Sequence, residues 1–142
     1  MSVNIKYELS GVGWCDCTIT VDTQSAFITG SYLTDVLPQF CDAAIDLLGS
    51  AERVQIAFEE EPGEYRWIIT SVSAERANLK IYSLYSFGSE LSSEGTKLIL
   101  DAAVGKVELA RALHRAMSDV LTEHGKDGYL EKWDMEIGRA HV

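Results

Sequence analysis

The sequence is poor in basic residues and in long apolar runs, and each shortage argues against a class of protein. Its 12 Lys and Arg residues stand against 22 Asp and Glu, which gives a formal net charge of -10. Such a field repels phosphate backbones and anionic lipid, so we expect neither nucleic acid nor a membrane as partner. No apolar run reaches the roughly 18 residues that a membrane span needs. The acidic field favours a basic protein surface instead.

Cysteine is also scarce, with only Cys15, Cys17 and Cys41 in 142 residues. The count is odd, and a chain of this length buries roughly 70% of its unfolded surface without disulfides. We therefore expect reduced thiols and a cytoplasmic protein. The first residues, MSVNIKYEL, lack the basic and apolar regions of a secretion signal.

Motifs that carry chemistry are missing as well. Cys15 and Cys17, with Cys41 and a histidine, are candidate zinc ligands, but the paired turn elements of zinc sites are absent. We expect core cysteines, no metal and no cofactor.

His114 and His124 lie almost three helical turns apart, too far to share one metal ion. We find no nucleophile elbow and no glycine-rich phosphate loop, so the sequence favours a protein without enzymatic activity. A pair of carboxylates brought together by folding stays open.

Alternation of apolar and polar residues predicts most of the strands. It runs through residues 3–9, 15–21, 54–58, 65–72, 77–87 and 96–104. Residues 26–28 form a short candidate third strand. Residues 88–95 are polar and rich in serine, which predicts a loop.

Two segments change to helical spacing. The first is predicted to start at Thr34 or Asp35, which are good caps, and to end at Gly49. The second carries an apolar stripe from Val107 onward and is predicted to close at Gly125. The order of elements predicts an α+β fold, with a meander-like antiparallel sheet of about six or seven strands and two helices packed on one face.

The segment EEEPGEYRW, residues 59–67, is the densest charge cluster in the chain. A Pro-Gly pair between two apolar runs predicts a β-hairpin, whose tip carries four glutamates: Glu59, Glu60, Glu61 and Glu64. Two interpretations stay open. The acids either keep a soluble hairpin from pairing with other edges or form a patch that binds a basic partner.

Aromatic residues on the neighbouring strands are the candidate anchors of such a patch. They are Tyr65, Trp67, Tyr82 and Tyr85. Aromatic side chains often supply most of the affinity of an interface. The same residues are also common in buried strands, so a core role stays open for each.

The last seven residues, EIGRAHV at 136–142, differ in character from the rest. They resemble the conceptual translation of a common sequencing-library adapter. We therefore expect a single native domain over residues 1–135 and a tail that is not native.

Three segments together carry a resemblance: SYLTDVL, EEEPGEYRW and EHGKDGYLEKW. Through them the chain resembles a group of small bacterial proteins of unknown function, over most of residues 31–133. The group brings no known catalytic residues. In its general character the chain is also similar to immunity proteins of bacterial polymorphic-toxin systems, which are small, acidic, cytosolic α+β proteins.

These observations lead to three hypotheses. The first is a non-catalytic, immunity-type protein whose acidic hairpin and aromatic residues cover the basic surface of a toxin domain. The second is a small-molecule-binding or catalytic domain on the open sheet face, with a pocket lined by Trp14, Trp67 or Tyr82. The third is a homo-oligomer formed through the aromatic sheet face. The sequence itself does not fix the oligomeric state.

Overall fold

The computed structural model describes residues 2–11, 14–31, 36–60 and 62–133, with the side chains of the last helix described as far as Thr122. The strands are β1 (Val3–Gly11), β2 (Trp14–Val21), β3 (Gln24–Ser31), β4 (Arg53–Glu59), β5 (Glu64–Ser71), β6 (Arg76–Leu84) and β7 (Lys97–Gly105). The helices are α1 (Val36–Leu48), between β3 and β4, and α2 (Lys106–Trp133), after β7.

The strands form two antiparallel sheets. The first sheet has the order β1-β2-β3 and the second has the order β4-β5-β6-β7. The predicted α+β class, the seven strands and the meander-like connections are confirmed. The division into two sheets was not predicted: α1 separates β3 from β4 along the chain, and these two strands do not pair.

Both sheets turn one row of each strand toward a shared hydrophobic core. In the first sheet Ile5 and Tyr7 lie opposite Ile19 and Cys17, and all four side chains are buried. In the second sheet the same alternation buries residues that face each other across all four strands: Ile56, Trp67, Ile81 and Leu100. The two-residue period used for prediction therefore identified the inner faces correctly.

Four aromatic rings at the centre of the core join elements from both sheets and the first helix. Trp67 of β5 stacks on Phe58 of β4, with ring centroids 5.7 Å apart and planes 7° apart. Phe40 of α1 contacts both rings, and Tyr7 of β1 contacts Phe40 and Phe58. These offset and tilted contacts add to the free energy gained from burying the rings.

The two sheets approach each other closely where Gly30 of β3 faces Phe58. A methyl group at Gly30 would lie 3.0 Å from Cδ2 of Phe58 and 3.3 Å from Sγ of Cys15. The absence of a side chain at this position lets the backbone of β3 lie against the aromatic cluster.

Helix α1 also closes the free edge of the second sheet. The side-chain amide of Gln39 donates to the backbone oxygen of Ala57 at 2.9 Å and accepts from the backbone nitrogen of Ala57 at 2.8 Å. The amide thus replaces a neighbouring strand at the edge of β4, where unpaired backbone groups would otherwise invite aggregation.

Helix α2 packs against α1 and β1. The predicted end at Gly125 is wrong, because the helix continues to Trp133. A glycine inside a helix costs only about 1 kcal/mol relative to alanine, so it does not end a helix unless its backbone turns left-handed. The caps predicted at Thr34 and Asp35 and the tail at 136–142 lie outside the described residues. Neither described helix is both long and apolar enough to cross a membrane.

Replacement of Trp67 by alanine tests the central role of the aromatic cluster. Its side chain has no exposed surface, and removal of a buried Trp costs about 3–5 kcal/mol. We expect W67A to lower the free energy of unfolding by that amount in a denaturant titration. The matched control is Y85A, because the side chain of Tyr85 is 74% exposed. Equal effects of the two substitutions would contradict the description of the core.

Candidate partner-binding surface

The acidic segment forms the predicted hairpin between β4 and β5. Glu59 pairs with Glu64 across the two strands, and the backbone N–H of Glu60 donates to the carbonyl of Gly63 at 2.9 Å. Glu61 lies outside the described residues. The strand pairing fixes where each of the other three glutamates points, and the three have different surroundings.

Glu64 is buried, with 3% of its surface exposed. Its carboxylate accepts two hydrogen bonds from Arg66, from Nε at 2.7 Å and from Nη2 at 3.0 Å. It also accepts the backbone N–H of Gly88 at 2.9 Å. The hydrogen bonds that Arg66 donates to Glu64 raise the pKa of Arg66, so the guanidinium stays ionised. Glu64 was predicted to contact a partner, but in this structure its charge is satisfied inside the protein.

The contact with Gly88 ties the loop after β6 to the hairpin tip. A second bond supports it, from the backbone N–H of Phe87 to the carbonyl of Pro62 at 2.7 Å. Gly63 lies so close to this segment that a methyl group there would be 2.8 Å from the carbonyl oxygen of Leu84. The tip is therefore held from one side by the loop that follows β6.

Glu60 holds the tip from the other side. Its carboxylate accepts a hydrogen bond from the hydroxyl of Thr29 on β3. Burial raises the pKa of Glu60, and burial together with the charge of Glu60 raises the pKa of the Tyr65 hydroxyl. Glu59 is half-buried. The bond to Thr29 joins the hairpin to the outer face of the first sheet, the face that points away from the core.

Two further acids lie in the same cross-strand row of that face. Asp16 on β2 is directly opposite Thr29 on one side and Glu8 on the other. Lys6 lies 3.6 Å from Glu8, in a pair whose side chains are mostly exposed. Like charges directly opposite each other destabilise a sheet. The row Glu8–Asp16–Thr29 thus leads from β1 to Glu60. Within it the carboxylates of Glu8 and Asp16 face each other and repel.

The four predicted aromatic residues do not share one surface. Trp67 is fully buried, which leaves it no surface for a partner in this conformation. Tyr65 is half-buried on the inner face of the second sheet and packs against the core. Tyr82 is half-buried opposite Arg66 on the outer face of that sheet. Tyr85, just after β6, is 74% exposed.

Two aromatic side chains flank the acidic row. Sequence reasoning missed Phe27 and named Trp14 only as lining a small-molecule pocket. Trp14 of β2 is 43% exposed and lies opposite Ser31, while Phe27 of β3 is 61% exposed and lies opposite Thr18. The signal was available: Trp14 alternates with the buried Cys15 and Cys17, so the period of two directs its ring outward. We call the surface formed by Glu8, Trp14, Asp16, Phe27, Thr29 and Glu60 the acidic-aromatic face.

The cysteines occupy the inner side of the same strands. Cys15 and Cys17 are fully buried, as predicted for core residues. Burial raises the pKa of Cys15 to about 12 and the pKa of Cys17 well above its ordinary value. Both thiols therefore stay protonated at neutral pH, a state that is a poor nucleophile and a poor metal ligand. No group of three or more His, Cys, Asp or Glu residues that could hold a metal occurs in the described ranges.

The fold is similar to that of one chain of the CdiA-CT/CdiI toxin and immunity complex from Enterobacter cloacae. The similarity covers 83% of this chain and 99% of that chain, with a TM-score of 0.54 and 7% sequence identity. At this identity the likeness is one of fold. No protein-family model and no curated protein matches the chain. The resemblance through SYLTDVL and EEEPGEYRW to a group of small bacterial proteins stays a prediction.

Replacement of Glu64 tests whether it anchors the loop after β6. In E64A the guanidinium of Arg66 and the N–H of Gly88 lose their acceptor, and such a loss costs roughly 1–3 kcal/mol. We expect that decrease in unfolding free energy, together with faster hydrogen exchange at the amide of Gly88. E94A, in the same loop but exposed, is the control and should change neither quantity. Unchanged exchange in E64A would contradict the anchoring role.

The raised pKa of Glu60 predicts a pH-dependent effect of E60Q. The folded state binds this proton more tightly than the unfolded state, so the stability that Glu60 contributes is complete below its ordinary pKa and is lost as pH rises through the raised pKa. Glutamine keeps an acceptor for Thr29 without a buried charge. We expect E60Q to melt above the wild type at neutral pH and to lose this advantage in acid. A difference in melting temperature that does not vary with pH would contradict this.

Proposed function

We propose that this chain is a non-catalytic, immunity-type protein that neutralises a bacterial toxin by covering a basic surface of it with the acidic-aromatic face. The observation that carries the proposal is the row of Glu8, Asp16 and Glu60, which is flanked by the exposed rings of Trp14 and Phe27. The likeness in fold to a chain of a toxin and immunity complex supports it.

The charges of this face provide orientation and speed of association. A net charge of -10 attracts a basic partner at long range, and a local row of carboxylates directs it to one site. The repulsion between Glu8 and Asp16 costs stability in the free protein. A cationic group of the partner placed between the two carboxylates removes their repulsion. Binding therefore gains this free energy in addition to the attraction between the cation and each carboxylate.

The exposed rings provide the lasting contacts. Trp and other large aromatic residues dominate the energetics of many interfaces when neighbouring polar groups exclude water around them. Trp14 and Phe27 lie on two sides of the acidic row, so a partner that pairs with the carboxylates also covers the rings. Glu59 and Tyr85 extend the proposed surface around the hairpin, whereas Tyr82 lies on the outer face of the second sheet and Glu61 lies outside the described residues. Trp67 supports it from beneath, through the stacking on Phe58.

The proposal expects a neighbouring gene to encode a toxin domain, and a binding experiment with the product of that gene tests it. We expect a tight complex whose association rate falls as salt increases. The pair D16K and E8K should lower the association rate, whereas F27A should mainly raise the dissociation rate, with a loss of about 2 kcal/mol or roughly 30-fold in affinity. Surface plasmon resonance separates the two effects.

The control for charge reversal is E52K, because Glu52 is exposed just before β4, at the other end of that strand from the hairpin tip. This substitution changes the net charge by as much as D16K does. If E52K and D16K slow association equally, only the overall charge matters and the acidic-aromatic face is not the site. If no complex forms and co-expression gives no protection from the toxin, the immunity function itself is wrong.

A further inference from the structure

The groove between α1 and α2 is a second surface with marked chemistry. It has a volume of about 580 Å³ and runs between the two helices where they pack against each other. Small side chains, Ala44 and Ala110, line it on each side. Large apolar side chains stand open to solvent along it: Ile45 is 65% exposed, Leu48 is 61% exposed and Val107 is 44% exposed. A contiguous exposed apolar strip of this kind marks an interaction site.

The charges beside this strip differ in sign between the two helices. Arg111, His114 and Arg115 of α2 line the groove. On α1, Asp42 precedes Ile45 by three residues and Asp46 follows it directly, and both carboxylates are exposed. Arg111 and Arg115 thus form a basic wall of the groove. Asp42 and Asp46 do not line the groove itself but are exposed on α1 next to Ile45, and we call them the acidic wall.

Neither wall is neutralised within the molecule. The side chains of Asp42, Asp46, Arg111 and Arg115 form no ion pair or hydrogen bond with one another or with the rest of the described residues. Moreover, Asp42 and Asp46 are four residues apart, and so are Arg111 and Arg115. Like charges at this spacing are neighbours on a helix and destabilise it. On α2, Glu108 lies three residues before Arg111 and Asp119 four residues after Arg115, so the unfavourable pair that a surface of opposite charge would relieve is the one on α1.

We infer that the groove is the interface of a homodimer, in which a second copy of this chain packs on it about a two-fold axis parallel to the helices. Such an axis places each α1 over the partner's α2, so the acidic wall of one copy faces the basic wall of the other in both halves of the interface. This is the self-complementary arrangement that a two-fold interface requires. The apolar strips meet on the axis as the core of a four-helix layer.

Charge complementarity favours a second copy over other occupants. A basic partner is repelled by Arg111 and Arg115, and an acidic partner is repelled by Asp42 and Asp46. Only a surface that carries both signs in the reverse order satisfies both walls, and the groove itself is such a surface. The groove and the acidic-aromatic face share no residue, so the dimer does not depend on the proposed function.

Sedimentation velocity over a concentration series tests the dimer. The wild type should convert from monomer to dimer as concentration rises. I45E puts a charge on the axis and should abolish the dimer mass, whereas V72E, at an equally exposed position after β5, should leave it unchanged. Circular dichroism of each variant checks that the fold is kept.

A charge exchange identifies the interface itself. The double variants D42R/D46R and R111E/R115E should each stay monomeric, because each has two walls of the same sign. Mixed together they should form a heterodimer, since every wall then meets one of opposite sign. Formation of the heterodimer on mixing supports the proposal, because a general loss of stability in the two variants cannot restore dimerisation.

Three results would overturn the inference. A wild type that stays monomeric at every concentration excludes the dimer. A dimer that persists in I45E and in both double variants lies on another surface. A monomer that binds an acidic amphipathic peptide, and loses that binding in R111E/R115E, shows a groove for a different partner.

Discussion

The packing of β3 against the Phe58–Trp67 stack is the constraint on which the rest of the structure depends. Among the described residues no backbone hydrogen bond joins the two sheets, so their contact depends on packing across the core and on the bond between Thr29 and Glu60. The contact is close because Gly30 has no side chain to separate β3 from Phe58. Once β3 is held there, its outward residues, including Phe27 and Thr29, have fixed positions relative to the hairpin between β4 and β5.

That arrangement explains how an acidic hairpin becomes part of a larger surface. A hairpin tip is usually mobile because few contacts hold it. Here Glu60 bonds to Thr29 of one sheet, and Glu64 bonds to Arg66 and to the loop after β6. The hydrogen bonds of these two carboxylates thus fix the position of the hairpin tip. Glu8, which is paired with Lys6, and Asp16 are then presented beside a tip that is held on both sides, and a preorganised surface binds with less entropy loss.

The sequence predicted local features well and long-range ones poorly. Alternation in the segments around Ile19, Ile56 and Ile81 identified the strands and their inner faces, because a period of two is a local property. The separation into two sheets depends on whether β3 pairs with β4, which is decided by packing across the core. The burial of Glu64 could not be predicted either, because its partner Gly88 lies 24 residues away. By contrast, the outward direction of Trp14 could have been predicted, because the same alternation correctly predicted that its neighbour Cys15 is buried.

The distribution of charge bears on the groove between the two helices. In a protein with 22 acids and 12 bases, most acids lack a base, and unpaired acids alone carry little meaning. Unpaired bases are also common, since only Lys6 and Arg66 among the described bases form an ion pair, so it is the position of Arg111 and Arg115 that matters. Arg111 and Arg115 lie within one turn of each other, on the far side of an open groove from Asp42 and Asp46, and no described acid pairs with them. Together with the exposed side chains of Ile45 and Leu48 beside the same groove, this separation of charge by helix is the basis of the proposed dimer.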